Sequence, residues 1–257
     1  MSVMHNTKIH LCKDGSHTLF SEKFNQHYHN PNGAIAESRH VFFETPGMPG
    51  RLGNAGSLRI LEVGFGTGLN LLLLMEQLCK MDSKPDITYR SVEAYPLKLE
   101  QAMKLNYPEK LELSNAGEIL ACTFRALLPG MNRRQLKKHV LLELFIGPFD
   151  RQPEPDNSYQ MIFFDPFSPD VNADLWTKEI FRKLAEWSDP DVLLTTYGAA
   201  SSARAAMAAA GWKVARAPGA LGKREMTLAA LNPQMLANWK RVNEEKLRER
   251  YESGEFG

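Results

Sequence analysis

A glycine-rich segment, Glu62-Val-Gly-Phe-Gly-Thr-Gly-Leu-Asn70, joins a short apolar run to an apolar stretch of helical length. Glycines at such a turn allow a ligand to approach the backbone, and the following helix offers unpaired N–H groups. A dinucleotide fingerprint needs Gly-x-Gly-x-x-Gly, whereas here the third glycine is at position 68. Gly-x-Gly-x-Gly preceded by an acidic residue suits S-adenosylmethionine, which has no pyrophosphate to cradle. The alternative is a glycine turn without a ligand. The predicted cofactor-binding residues are Glu62, Gly64, Phe65, Gly66, Thr67, Gly68 and Asn70.

Two carboxylates follow later apolar runs of the same kind. Glu93 ends ITYRSVE, and Asp165 lies in FFDPFSP between aromatic rings and prolines. A carboxylate at the end of the second strand can accept hydrogen bonds from both ribose hydroxyls. A carboxylate beside a sulfonium stabilises the positive charge, and it can also orient or deprotonate an amine. We therefore predict Glu93 as a cofactor ligand and Asp165 as a cofactor-binding and catalytic residue; a solvated strand end and a turn or N-cap aspartate are the alternatives.

The elements that must position these residues alternate from Leu58 onward. Short apolar runs alternate with amphipathic segments, which predicts a mainly parallel sheet with helices on both faces and a closing antiparallel hairpin. Ligands on such sheets bind beyond the carboxyl ends of the strands. The predicted strands are LRILEVG, ITYRSVE, HVLLELFIG, YQMIFFDPF, DVLLTTYG, WKVARAP and REMTLAAL. The predicted helices are LNLLLLMEQLCKM, PLKLEQAMKLNY, DLWTKEIFRKLAEWS with Asp174 as its N-cap, SSARAAMAAAG and a charged helix from Pro233.

Composition excludes several classes of protein. With 257 residues, 43% hydrophobic and 24% charged, the chain resembles an ordinary globular protein and not a disordered, collagenous or coiled-coil one. Three cysteines without a C-x-x-C argue against a disulfide framework and a structural zinc. His27 and His29 with Glu37 lack clean ligand spacing, so we predict no metal. No apolar run approaches the roughly 18 residues that span a bilayer, and no signal peptide is evident, so a cytoplasmic protein is expected.

The basic residues are unevenly distributed. The formal net charge is only +1. Two stretches, Ile119–Leu142 and Val192–Arg224, nevertheless contain basic residues and no acidic ones. This pattern predicts segregated basic surface, as a phosphate-rich partner requires, although solvated helix faces explain such runs equally often.

Several blocks in a fixed order carry a resemblance to one family, over about Gly15 to Leu231. They are Gly33–Phe42, Glu62–Asn70, Glu93–Pro96, Leu128–Gly130, Asp165–Pro169 followed by Leu175-Trp176, Thr195–Tyr197 and Gly222–Met226. The sequence resembles the methyltransferase component of the wobble-uridine pathway of bacterial transfer RNA, called MnmD or the N-terminal half of bifunctional MnmC. The resemblance implies an α/β, Rossmann-like class I methyltransferase with a mostly parallel seven-stranded sheet in the order 3-2-1-4-5-7-6 and an N-terminal β-rich extension.

The resemblance also implies the reaction and its partners. A methyl group would pass from S-adenosylmethionine to the aminomethyl nitrogen of 5-aminomethyl-2-thiouridine in the anticodon loop of tRNA. No flavin-binding half follows, so a separate enzyme would supply the aminomethyl precursor. Where relatives have an acidic residue after Gly147, this chain has Pro148, and Phe149 or Asp150 are the candidates to replace it. The implied substrate- or RNA-binding residues are Tyr28, Glu37, Arg39, Phe167, Tyr197, Lys223 and Arg224.

Three regions are expected on this basis. Residues 1–57, including a glycine-rich linker at Gly47–Gly56, would close over the active site. Residues 58–231 would form the methyltransferase domain, and residues 232–257 a charged helix or tail. Two rival functions are a transferase acting on a small amine (a methyltransferase or an aminopropyl transferase) and a non-catalytic RNA-binding module. The segregated basic residues argue against the first rival, and the intact loop with Glu93 and Asp165 argues against the second.

Overall fold

The computed structural model describes residues 6–256, and these form two sheets and the helices around them. The strands are β1 (Thr7–Leu11), β2 (His17–Ser21), β3 (Gln26–His27), β4 (Ser57–Val63), β5 (Asp86–Glu93), β6 (Gly130–Lys137), β7 (Val140–Ile146), β8 (Tyr159–Phe164), β9 (Ser188–Thr196), β10 (Lys213–Pro218), β11 (Glu225–Ala230) and β12 (Lys240–Arg241). The α-helices are α1 (Ala34–Ser38), α2 (Met48–Asn54), α3 (Leu69–Cys79), α4 (Leu99–Ala102), α5 (Tyr107–Lys110), α6 (Ala116–Phe124), α7 (Lys178–Glu186), α8 (Ser201–Ala209) and α9 (Glu244–Glu252). A π-helical segment spans Arg39–Glu44, and 3-10 turns span Phe149–Arg151, Ala173–Leu175 and Pro233–Leu236.

The large sheet has the order β12-β10-β11-β9-β8-β4-β5-β7-β6. Strands β7, β5, β4, β8 and β9 are parallel, and β11 and β10 close the sheet in antiparallel pairing. Numbered along the chain without β6 and β12, these seven strands lie in the order 3-2-1-4-5-7-6. This is the strand order that the family resemblance implies.

The predicted number of seven strands is too low, because the large sheet has one additional strand at each edge. β6 pairs antiparallel with β7, and β12 pairs antiparallel with β10. β6 has the sequence GMNRRQLK, whose polar side chains alternate between exposed and covered positions. An edge strand needs no apolar run, so its sequence looked like a plain basic stretch.

The central strands are apolar because helices cover both faces of the sheet. One face packs with α3 and the N-terminal segment in a cluster that includes Leu19, Phe42 and Leu72. The other face packs with α7 and α8 in a cluster that includes Phe181 and Met207. Residues of the N-terminal segment therefore belong to the same core as the sheet.

The N-terminal extension is β-rich only in its first part. Strands β1, β2 and β3 form a small antiparallel sheet, and the rest of the segment is helical. The predicted linker at Gly47–Gly56 is wrong, because α2 occupies most of it. Met48 and Leu52, one helical turn apart, are buried and anchor α2 in the core.

Two further local predictions differ from the structure. α7 begins after Thr177, whose hydroxyl accepts a hydrogen bond from the Ile180 N–H, while Asp174 lies in a preceding 3-10 turn. The predicted C-terminal helix from Pro233 is a 3-10 turn, strand β12 and then α9. The hydroxyl of Tyr251 on α9 accepts a hydrogen bond from the N–H at the start of α7, so this region packs on the domain and is not a free tail.

Neither a membrane span nor a metal cluster is found in the described part of the chain. No helix within residues 6–256 is long and apolar enough to cross a membrane. The same residues contain no group of three or more His, Cys, Asp or Glu side chains that could hold a metal ion.

Candidate active site

A cavity of about 670 Å³ opens at the carboxyl ends of the central parallel strands. Its floor comes from residues that follow β4, β5, β8 and β9, and the N-terminal segment and the β10–β11 connection form its other walls. The predicted residues that line it are Tyr28, Glu37, Gly64, Gly66, Glu93, Asp165, Phe167, Tyr197 and Lys223. The other residues predicted to bind cofactor, substrate or RNA are not part of the lining; they are Glu62, Phe65, Thr67, Gly68, Asn70, Arg39 and Arg224.

The glycines of the loop after β4 are required by the backbone. Gly64, Gly66 and Gly68 have φ angles of +93°, +52° and +76°. A Cβ atom at Gly64 would lie 2.6 Å from the carbonyl oxygen of Asp165 and 3.2 Å from the Cα of Pro166. The loop can therefore pass against the Asp165 segment only because residue 64 has no side chain.

Glu93 ends β5 and closes the loop from the other side. Its carboxylate accepts hydrogen bonds from the N–H groups of Gly66 (2.8 Å) and Tyr95 (2.7 Å). Burial raises the pKa of Glu93, and these backbone N–H groups oppose that shift. The carboxylate is thus held at the cavity wall in the position predicted for a ribose ligand.

Asp165 follows β8 and shares an amide donor with a second carboxylate. The Nδ2 of Asn70 lies 3.2 Å from Asp165 Oδ2 and 3.0 Å from Glu62 Oε1. Ser91 Oγ donates to the other Glu62 oxygen at 2.7 Å. Burial raises the pKa of Asp165 well above its ordinary value, and the charges of Glu62 and Glu37 raise it further. Burial raises the pKa of Glu62 to about 8.

The remaining residues of the Glu62–Asn70 segment support the loop on the side away from the cavity. Phe65 packs on Phe124 with ring centroids 5.5 Å apart. The Thr67 hydroxyl contacts Nε2 of His29 at 2.9 Å and the hydroxyl of Tyr107 at 3.1 Å. Glu62, Phe65, Thr67, Gly68 and Asn70 therefore lie outside the cavity lining. His29, which lines the cavity, was not predicted to belong to this site; no spacing in the sequence links it to Thr67.

Arg39 and Arg224 also lie outside the cavity. The Arg39 guanidinium bonds to both carboxylate oxygens of Glu76 on α3, at 2.9 and 2.8 Å, and Glu76 is fully buried. Arg39 thus ties the N-terminal segment to α3 and does not face the cavity. Arg224 is exposed on the β10–β11 connection, next to Lys223.

Aromatic rings form one rim of the cavity. Phe167 packs edge-to-face on Tyr28 (5.0 Å between centroids) and stacks on Phe24 (4.5 Å). The Tyr197 hydroxyl donates to the carbonyl of Pro166 at 3.0 Å. Sequence reasoning missed Phe24 and Tyr95, both of which line the cavity. Phe24 belongs to none of the motifs, and in the Glu93–Pro96 block only Glu93 was assigned a role.

The wall next to Glu93 contains Pro148. Pro148, Phe149 and Asp150 all line the cavity, and the Gly147 N–H donates to the Glu93 carbonyl at 3.0 Å. The two residues predicted to replace the missing acidic residue therefore line the same cavity as Glu93.

The two basic stretches do not form one surface. β6, with Arg133 and Arg134, is at one edge of the sheet, and β10 and β11 are near the other. Arg204 is only 4% exposed and bonds to Glu225 and Thr227, so it is a structural residue. Of the cations in these two stretches, Lys223 lines the cavity, and the exposed Arg224 follows it in the β10–β11 connection.

A Glu62→Gln substitution is expected to weaken the pH dependence of stability. Since the pKa of Glu62 rises from 4.5 to about 8 on folding, the native state binds more protons than the unfolded state between these values. Stability contributed by this group is complete below about pH 4.5 and is lost as pH rises towards 8, with a slope of about 1.4 kcal/mol per pH unit. Urea unfolding at pH 5, 6.5 and 8 should show a smaller decline in the variant.

The exposed Glu118→Gln serves as the control for this measurement. Parallel pH dependence of wild type and Glu62→Gln would contradict the buried, protonated Glu62.

The chain is similar in sequence to known methyltransferases. A family model described as S-adenosyl-L-methionine-dependent methyltransferase matches residues 111–232. The "tRNA 5-methylaminomethyl-2-thiouridine biosynthesis bifunctional protein MnmC" of Delftia acidovorans is 33% identical over 219 residues, which cover 84% of this chain and 34% of that protein. The MnmC protein of Ralstonia nicotianae is 32% identical over 228 residues, covering 86% and 34%.

A solved structure shows the same fold. MnmC2 from Aquifex aeolicus superposes with a TM-score of 0.73 at 23% identity and covers 95% of this chain and 81% of that one. The chain spans about a third of the length of the curated MnmC relatives that it matches.

Proposed function

We propose that this chain is an S-adenosyl-L-methionine-dependent methyltransferase similar to the methyltransferase part of the MnmC proteins, and that it methylates the aminomethyl nitrogen of 5-aminomethyl-2-thiouridine at the wobble position of tRNA. The observation that carries this proposal is the cavity in which Glu93, Asp165 and aromatic rings meet at the strand ends. The proposed domain organisation is a methyltransferase domain at 58–231 with N-terminal and C-terminal regions packed on it.

The residues present fit the cofactor. The cavity volume of about 670 Å³ is within the range of small-molecule sites. Gly64 and Gly66 line the cavity without side chains, and the Glu93 carboxylate is held at the wall by two N–H groups. Gly64 and Gly66 would lie against the cofactor, and Glu93 would accept hydrogen bonds from its ribose hydroxyls. Glu62, Phe65, Thr67, Gly68 and Asn70 would hold the loop in shape.

The acidic and aromatic lining fits an amine on a planar base. Glu37 and Asp165 attract a cation, and Tyr28, Phe167 and Tyr197 offer ring faces on which an extruded anticodon-loop base can stack. Lys223 is in the cavity wall and Arg224 is exposed beside it, where phosphates of the loop would pass. A separate enzyme would supply the aminomethyl precursor.

The chemical step needs positioning more than covalent chemistry. The cofactor supplies an electrophilic methyl group on a sulfonium. Asp165, whose oxygen is fixed by Asn70, holds the acceptor nitrogen in line with that carbon. Orientation of this kind is worth roughly 7–11 kcal/mol of the barrier. The rings around Phe167 exclude water from the reacting atoms.

The function is tested by incubating the protein with S-adenosylmethionine and tRNA that carries the aminomethyl precursor, followed by nucleoside digestion and mass spectrometry. Unmodified transcript and the free aminomethyl nucleoside are the parallel substrates. We expect the methylaminomethyl nucleoside from the modified tRNA alone. Product from the free nucleoside at an equal rate would favour a small-amine methyltransferase, and no product despite cofactor binding would refute the acceptor.

A Glu93→Gln substitution is expected to weaken cofactor binding by about 10- to 100-fold, since hydrogen bonds to a charged group contribute about 1.5–3 kcal/mol. Calorimetric titration with S-adenosylhomocysteine measures this effect directly. The exposed Glu100→Gln, on α4, is the matched control. An unchanged Kd for Glu93→Gln would contradict the ribose contact.

A further inference from the structure

Two carboxylates from different parts of the chain face the same cavity. Asp165 follows β8, whereas Glu37 comes from α1 in the N-terminal segment. They are close enough for the charge of Glu37 to raise the pKa of Asp165. An ammonium group that enters this cavity therefore meets two acceptors, and the mechanism above uses only one of them.

The surroundings of the two carboxylates are different. Asp165 is next to a second carboxylate, Glu62, and no cation within residues 6–256 forms an ion pair with it. Glu37 accepts a hydrogen bond from the Asn30 N–H at 2.8 Å, and the positive charge of Lys223 acts on it. Two carboxyl groups whose environments shift their pKa values differently can serve different roles in one site.

Glu37 is also faced by groups from several elements. Lys223 comes from the β10–β11 connection, Tyr197 from the end of β9 and Asp165 from the end of β8, and the thiol of Cys12 is nearby. Burial raises the pKa of Glu37, while Asn30 and Lys223 oppose the rise. A carboxylate in the cavity wall that is more basic than usual is suited to accept a proton from a bound ammonium group.

We infer that Glu37 takes the proton from the acceptor ammonium, while Asp165 holds the resulting amine in line for methyl transfer. This inference rests on the proposed function. One N–H bond breaks, its electron pair stays on nitrogen, and the proton forms an O–H bond with the Glu37 carboxylate. The nitrogen pair then forms the N–CH₃ bond as the S–CH₃ bond breaks, and the sulfur retains that bonding pair. The Glu37 proton returns to solvent after product leaves, so no oxidant or reductant is needed.

The Glu37→Gln variant distinguishes two possible roles of Glu37, as a proton acceptor or as a residue that only shapes the cavity. We expect kcat for tRNA carrying the aminomethyl precursor to fall by about 10²- to 10⁴-fold at pH 7. Without the base, only amine that is already deprotonated in solution can react. The deprotonated fraction rises about tenfold per pH unit, so the loss of kcat relative to wild type should shrink by about the same factor from pH 7 towards pH 9. The Kd for S-adenosylhomocysteine should change less than about threefold.

Two further variants complete the experiment. Glu37→Asp keeps a carboxylate and should retain the wild-type shape of the pH profile at a lower rate. Glu44→Gln removes a carboxylate of the same segment that is 67% exposed and pairs with His40 on the surface, and this variant should behave as wild type.

The outcomes distinguish this inference from the function on which it rests. A loss in Glu37→Gln that is equal at every pH, or a matching loss of cofactor affinity, would overturn the role of Glu37 while the proposed function stands. Wild-type protein that binds the cofactor but methylates no tRNA overturns both.

Discussion

Asp165→Ala should reduce kcat by at least about 10³-fold while the Kd for S-adenosylhomocysteine changes less than about threefold. The carboxylate lies in the cavity wall, fixed by Asn70, and it is proposed to position the acceptor nitrogen. Loss of one preorganised polar group of this kind typically costs about 10²–10³ in kcat, and misplacement of the acceptor adds to it. Asp165→Asn, which keeps the shape and one acceptor oxygen, should lose less than Asp165→Ala.

Stability provides the control for folding. Asp165 is a desolvated carboxyl, so its conversion to asparagine removes the cost of burying an ionisable group and should not lower the urea midpoint. Asp170→Asn, an exposed site five positions along the same segment, should leave kcat unchanged. A loss of cofactor affinity as large as the loss of rate would show that Asp165 serves binding and not catalysis.

Gly64→Ala should destabilise the fold by about 2–4 kcal/mol and abolish cofactor binding. A left-handed residue other than glycine costs about 1–3 kcal/mol. The added Cβ would also lie 2.6 Å from the Asp165 carbonyl oxygen, which is part of the backbone and cannot turn away. Either the loop or the Asp165 segment must then move, and the cavity wall moves with it.

Gly130→Ala is the matched control, since Gly130 has nearly the same φ angle (+91°) and nothing within 4 Å of its would-be Cβ. The Gly130→Ala variant should lose only the free energy of the backbone conformation, about 1–3 kcal/mol, and keep full cofactor affinity. Equal unfolding free energies for the two variants would show that the close approach to Asp165 is not what requires glycine at position 64.

The parts of the fold predicted from the sequence are those with a strong local signal. The parallel strands have continuous apolar runs because they are buried on both faces, and β4, β5, β8 and β9 lie where these runs were found. The glycine spacing reflects the left-handed φ angles of Gly64, Gly66 and Gly68. The edge strand β6 and the short β12 carry no such signal, because an edge strand is exposed and β12 has only two residues.

The roles of polar side chains were less predictable. The Arg39 guanidinium could have faced a phosphate or a carboxylate, and only the approach of α3 shows that it pairs with Glu76. Arg204 similarly belongs to a basic stretch by sequence and to a buried ion pair with Glu225 by structure. Long side chains have several partners within reach, so the packing of distant elements decides which one they bind.

The sequence by itself determined the class of cofactor loop, the order of the alternating elements and the two strand-end carboxylates, because backbone conformation and strand burial are properties of neighbouring residues. Only the tertiary structure decided that Glu62 lies behind the wall that contains Asp165, with Asn70 between them. It likewise decided that Glu37 and Lys223 join Asp165 in one cavity. These residues are far apart along the chain, and desolvation and charge act between them only after the N-terminal segment has packed on the sheet.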